Sequence, residues 1–332
     1  MNNNEKIIFG NKEIYQAAFN LAGLAYLDIE IQQLKSQLEN EDENCDTSTL
    51  ELNYSDDGTF KCLSKVERDL KCLFVIIRGS ITPETNQGVP PTWMTDLKTQ
   101  TSKFPVAIKD ETAPKDENGN LIGPLPSPKN TIFNVNTNFL DFYNLGQEIV
   151  YKIIKKYYKN VDKIILVGHS IGGAFVELCY TRYRPIFDYK NKVSLSCISI
   201  GAPKVADDDF REYFRNLIET TDDVITKYGR FVNEGPKNRL DAVVGIPDGN
   251  ILGGSQEEES QPQDIGANAR ISLTHPLDKQ ILNFEENIIQ NDGDLLKLSE
   301  NEVFHDIVNL HSMAAYNKHF LFCLERLNKM QN

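Results

Sequence analysis

Basic residues are scarce in this chain. Its 332 residues carry 35 lysines and arginines against 48 acidic side chains, leaving a formal net charge of -13. A surface of that sign repels nucleic-acid phosphates and argues against a nucleic-acid role. It is not drawn to anionic lipid by charge either, so any transient contact with a membrane or lipid surface has to come from apolar surface. Long hydrophobic runs are missing too. None approaches the ~20 residues needed to cross a bilayer, and no transmembrane segment is expected. The start, Met1-Asn2-Asn3-Asn4-Glu5-Lys6, lacks the apolar stretch of a secretory signal. The expected location is therefore cytoplasmic, with export by a signal-independent route left open. The six cysteines (Cys45, Cys62, Cys72, Cys179, Cys197 and Cys323) form no CxxC pair. Their spacing is neither a disulfide framework nor a metal site, and buried free thiols in a reducing compartment are expected. With no HExxH and no clustered His/Cys ligand spacing, neither a metal nor a cofactor is expected.

What is present fits a globular enzyme. Hydrophobic residues make up 40% and charged residues 25% of the chain, near globular averages. Ile14 to Leu38 reads as one helix by its apolar spacing. The continuous apolar run Leu73-Phe74-Val75-Ile76-Ile77 suits a strand buried on both faces. Thr82 to Asn130 has no sustained period and reads as long surface loops with a lid segment near Trp93 to Leu97. Leu140 to Tyr158 is helical, with lysines gathered at its end where the helix dipole favours them. Buried strands follow at Lys163 to Val167 and Val193 to Ile200, separated by an apolar helix at Ala174 to Tyr183. A short helix spans Asp209 to Ile218, a fourth strand Arg230 to Asn233, and a closing helix Val308 to Leu327. Gly249 to Gly293 reads as a polar, irregular loop. This alternation predicts an α/β fold with a mainly parallel central sheet flanked by helices. One domain over residues 1–332 is expected, with polar insertions near 39–60, 82–130 and 249–300.

Gly168-His169-Ser170-Ile171-Gly172 reads G-x-S-x-G. The motif alone is weak, but it follows a buried strand directly and opens directly into an apolar helix. That is the setting of a nucleophile elbow in the α/β-hydrolase fold. A serine in so tight a turn needs neighbours two residues away without clashing side chains, and Gly168 and Gly172 supply them. The helix N-terminus beyond Ser170 offers unpaired N–H groups and positive dipole. The Ile171 N–H is therefore a candidate oxyanion donor.

Several ordered blocks resemble the class 3 lipase family, the fungal-lipase-like α/β hydrolases. They are Phe74 to Ser80 (FVIIRGS) followed by Trp93-Met94-Thr95-Asp96-Leu97, Val167 to Ala174 (VGHSIGGA), Ser199 to Val205 (SIGAPKV), Arg230 to Asn233 with Asp241-Ala242-Val243 and Pro247, and His311 to Tyr316 (HSMAAY). The chain departs from the family pattern at Asn136-Thr137-Asn138-Phe139, where H-x-G-F is usual. The insert after Thr82 is longer than in the compact fungal enzymes, and Glu234 to Leu240 separates the fourth strand from Asp241.

The resemblance implies a Ser-Asp-His triad in that chain order. Ser170 is the nucleophile and Asp241 the orienting acid, with Asp248, Asp222 and Asp223 in weaker contexts. The base is among His275, His305, His311 and His319. His311 is chosen because it begins the final block, with His305 second and His275 behind it. His169, inside the elbow, cannot turn back onto Ser170. By resemblance the Ser80 backbone N–H is the second oxyanion donor. Asp96 either pins that loop or starts a helix. The implied activity is cleavage of carboxylic esters, with a hydrophobic or lipid ester (acylglycerol or phospholipid) as substrate, through an acyl-enzyme. A phospholipase or acyltransferase using the same triad, and a catalytically weak lipase-like protein acting by partner binding, are the alternatives. Phe104, Leu121, Ile122 and Leu125 are either acyl-site lining or loop anchors.

Overall fold

The computed structural model describes residues 12–41, 45–79, 101–105, 132–190, 193–219, 228–235, 239–240, 280–283, 313–314, 316–317 and 320–321. In chain order the elements are helices α1 (Lys12–Leu24) and α2 (Ile31–Glu41), strands β1 (Glu51–Tyr54), β2 (Lys61–Glu67), β3 (Cys72–Ile77), β4 (Thr101–Pro105) and β5 (Ile132–Asn136), helix α3 (Thr137–Tyr157), strand β6 (Lys163–His169), helix α4 (Ile171–Lys190), strand β7 (Ser194–Ile200), helix α5 (Asp208–Glu219), and strands β8 (Tyr228–Gly235), β9 (Arg239–Leu240) and β10 (Gln280–Asn283). The main sheet runs β1-β2-β3-β6-β7-β8-β10, with β9 pairing on β8, and β4-β5 forms a separate two-stranded sheet. The first three strands are antiparallel. From β3 through β6, β7 and β8 to β10 all pairings are parallel. This mixed sheet with a parallel centre and flanking helices is the α/β-hydrolase arrangement that the sequence predicts.

The central strands β3, β6 and β7 are almost wholly buried because both of their faces are covered. Side chains alternate between two cores. Leu73, Val75, Ile77, Ile164 and Leu166 enter one core, with Phe60, Phe142, Phe175 and Tyr180. Phe74, Ile76, Ile165 and Val167 enter the other, with Tyr15, Phe19, Leu21, Met313, Tyr316 and Phe320. The second core joins α1 to helical residues near the far end of the chain, where Phe19 and Phe320 stack with ring centroids 4.1 Å apart.

Several expectations are corrected. The stretch 14–38 is two helices, not one. The bonds Ala25 N–H to Leu21 O, Tyr26 N–H to Gly23 O and Leu27 N–H to Leu24 O tighten the end of α1 into a turn. The Leu27 carbonyl is then claimed by Lys61 Nζ at 2.7 Å. The expected insertion at 39–60 contains the end of α2 and the sheet-edge strand β1. The expected loops at 82–130 and 249–293 hold β4 and β10 respectively. Phe104 is a core anchor: it is buried and meets the Tyr143 ring edge-on. Leu121, Ile122 and Leu125 lie outside the described residues.

The expectation of free, buried thiols holds for Cys62, Cys72, Cys179 and Cys197, and Cys45 is half-buried and free. Burial pushes the Cys72 thiol up to about 11, which leaves it inert at neutral pH. Among the described residues no helix is long and apolar enough to cross a membrane.

Gly146 of α3 faces the Phe60 ring, and a Cβ there would lie 2.2 Å from the ring's Cε2. Phe60 is itself wedged against Phe142 and Phe175. Alanine gains up to about 1 kcal/mol of helix propensity over glycine, but overpacking a filled core costs typically about 1–3 kcal/mol. Gly146→Ala is therefore expected to lower the urea midpoint. A raised midpoint would mean that Phe60 can swing aside.

Candidate active site

Ser170 sits between the end of β6 and the start of α4 with a φ of 57°. That left-handed backbone costs on the order of 1–3 kcal/mol for a residue with a side chain. Local bonds hold it there. The Ser170 N–H donates to Ile200 O of β7 at 2.9 Å, and its carbonyl accepts from the Gly173 and Ala174 N–H groups. Ser170 is 5% exposed. Ile171, the first residue of α4, presents its N–H where helix amides have no intrahelical partner and where the dipole is positive.

The glycines are required by contact. A Cβ on Gly168 would meet Gly172 O at 1.9 Å, and one on Gly172 would meet Ile77 O at 2.4 Å. A Cβ on Gly173 would meet the Ala202 side chain at 2.7 Å. The turn is thereby pressed against both β3 and the segment leaving β7.

Two further segments close around it. Gly79, just past β3, lies so near that a Cβ there would be 2.6 Å from His169 O, 2.7 Å from the Tyr26 hydroxyl and 2.8 Å from Ser170 Cβ. The Gly79 N–H donates to that hydroxyl at 2.9 Å, and the hydroxyl also meets His169 Nδ1. The His169 ring is buried between the edges of Tyr26 and Tyr316. Tyr316 packs on Gly201, whose φ of 58° carries the chain out of β7.

The atypical stretch 136–139 has a structural role here. Asn136 caps α3, its side chain accepting from the Asn138 N–H at 3.0 Å, and its own N–H donates to Val205 O. The stretch after β7 is held in turn by Asp207, which accepts from Asn134 and from the Phe210 N–H that opens α5.

Of the expected site residues, Ser170 and Ile171 fall within this geometry. Asp241, His311 and Ser80 lie outside the described residues, as do Trp93, Asp96, Asp222, Asp223, Asp248, His275, His305 and His319. Among the described residues no group of His, Cys, Asp or Glu could hold a metal ion. Tyr26 is the site contact that the sequence reading missed. Its partner His169 is 143 positions away, and no local pattern announces that contact.

Residues 74–235 match the family Lipase (class 3). The matched segment begins within β3, contains the elbow and β7, and ends with β8. No curated protein matches the chain. Similar solved structures include a Rhizomucor miehei lipase–propeptide complex at 18% identity, covering 72% of this chain and 62% of that one, with a TM-score of 0.45. Lipase II from Rhizopus niveus has 17% identity, coverage of 71% and 74%, and a TM-score of 0.45. The lipase from Rhizopus microsporus var. chinensis has 18% identity, coverage of 71% and 69%, and a TM-score of 0.42. The chain thus spans under two thirds of the length of the first of these.

The Gly168 contact is backbone against backbone, so no rotamer relieves it. Gly168→Ala is expected to abolish either folding or the reactivity of Ser170. Near-ultraviolet circular dichroism and labelling by a fluorophosphonate probe check this together. A folded Gly168→Ala protein labelled at the wild-type rate would contradict the turn geometry.

Proposed function

We propose that this protein is a carboxylic ester hydrolase of the lipase type, acting on lipid esters through a Ser170-Asp241-His311 triad. The observation that carries the reading is Ser170 itself, held at positive φ at the head of α4 between glycines that admit no side chain. That strained strand-to-helix turn sets the serine beside a helix N-terminus. The match of residues 74–235 to the class 3 lipases supports the same chemistry.

In the proposed reaction Ser170 Oγ attacks the ester carbonyl as His311 takes its proton. Asp241 orients the imidazole and stabilises its charged form. The Ile171 and Ser80 amides hold the tetrahedral oxyanion. His311 then protonates the leaving alkoxide, and water, activated by the same histidine, releases the acid from the acyl-enzyme.

Two contacts support the partners. Leu240, the chain neighbour of Asp241, pairs with Glu234 on β8, so the insertion that separates the fourth strand from Asp241 returns alongside the sheet. Tyr316, five residues after His311, rests on the ring of His169, the residue before Ser170. Both bring the chain back toward the end of the sheet that carries the elbow.

Hydrolysis of short- and long-chain p-nitrophenyl esters by wild type, Ser170→Ala, His311→Ala and His305→Ala tests the reading. Ser170→Ala and His311→Ala are expected to lose roughly 10⁴–10⁶-fold in kcat, as removal of a triad nucleophile or base does, while His305→Ala stays near wild type. Loss with His305→Ala alone would move the base. Full activity in Ser170→Ala would end the proposal. Product analysis with phospholipids and with alcohol acceptors distinguishes lipase, phospholipase and acyltransferase action.

A further inference from the structure

The hydrogen-bond ladder along β3 ends beside the elbow. The Arg78 N–H still donates to Lys61 O of β2 at 3.2 Å. The next amide, Gly79 N–H, donates to the Tyr26 hydroxyl at 2.9 Å. Tyr26 thus takes over from the sheet as the partner of the exiting chain. Its hydroxyl has one proton, and its oxygen is already accepting from Gly79. The same hydroxyl meets His169 Nδ1, so one side chain joins the exiting chain to the elbow histidine. Burial holds the phenol well above its ordinary pKa, so the hydroxyl keeps its proton at working pH.

We propose that Tyr26 is a positioning residue for ester hydrolysis, its hydroxyl clamping the Gly79 peptide against the elbow and so setting the path of the chain as it passes Ser170. The inference rests on the ester-hydrolase reading above, in which the amide following Gly79 donates to the oxyanion. Removing the hydroxyl strips partners from the Gly79 N–H and from His169 Nδ1 together. Gly79 has no side chain of its own to hold it, and the space beside it admits none. Its peptide then loses the bond that fixes its tilt, and an oxyanion donor must be aimed to within a few tenths of an ångström to act. The contact acts on the proposed oxyanion donor and not on the rest of the substrate, so the loss falls on kcat.

Tyr26→Phe tests this, with kcat expressed per active site titrated by a fluorophosphonate and with thermal melting measured alongside. The expected result is a kcat lower by roughly 10–100-fold, below the 10²–10³ typical of deleting an oxyanion donor outright, with KM within about twofold of wild type. Tyr180→Phe is the control. It removes a buried hydroxyl that has no hydrogen-bond partner among the described residues and is expected to leave kcat unchanged. Full kcat per titrated site in Tyr26→Phe, a loss confined to KM, or a loss confined to the number of titratable sites would each overturn the positioning role. A wild-type protein that neither labels at Ser170 nor cleaves esters would instead overturn the ester-hydrolase reading, and this inference with it.

Discussion

Backbone meets backbone at the elbow, and the rest of the structure is arranged to permit it. Gly168 faces the Gly172 carbonyl, and Gly172 faces the Ile77 carbonyl, at separations that leave no room for a Cβ. These contacts lock β6, α4 and β3 together at one point. They also force Ser170 into a left-handed conformation that costs on the order of 1–3 kcal/mol. The surrounding sheet offsets that strain. Three central strands are buried on both faces, and each fully buried aliphatic side chain contributes about 1.5–3 kcal/mol relative to exposure. A strained turn persists because its two ends are fixed by that much packing.

How much was legible in the sequence follows from what each element needed. Strands β3 and β6 read as apolar runs because both their faces are buried, while β7 keeps three serines within a buried strand. Helix α3 showed its period because one side packs on the sheet and the other meets water. Strand β2 was hidden. Its lysines, Lys61 and Lys65, are polar residues at buried positions, tolerable because Lys61 reaches the Leu27 carbonyl and Lys65 the Glu67 carboxylate. Those partners follow from the fold, not from the local pattern. The break between α1 and α2 was hidden for the same reason. The apolar spacing continues through it, while the bond that fixes it comes from a strand more than thirty positions away.

The site divides along the same line. Ser170 and Ile171 were readable because an elbow is a local object: strand, glycine, serine, glycine and helix lie consecutively. Asp241, His311 and Ser80 rest on blocks that resemble a family, since nothing in an isolated aspartate or histidine marks its role. Tyr26 had neither a local motif nor a family block to announce it. Only the packing of α1 beneath the parallel sheet shows which hydroxyl receives the amide that the strand ladder leaves over.

His169 shows why the supporting contacts extend beyond the matched segment 74–235. Its ring is held on one side by Tyr26 from the end of α1 and on the other by Tyr316. Both tyrosines lie outside that segment, one before it and one after it. Both also touch a glycine that borders the nucleophile turn: Gly79 for Tyr26, Gly201 for Tyr316. Each glycine leaves a space that a tyrosine edge fills. The side chain absent from the turn is thus supplied by a distant part of the chain. A buried imidazole with aromatic edges on two sides has little freedom to turn, so the residue preceding Ser170 is fixed through its side chain while Ser170 is fixed through its backbone. The second core, in which α1, β3, β6 and the residues around Tyr316 meet, therefore acts on the nucleophile through packing.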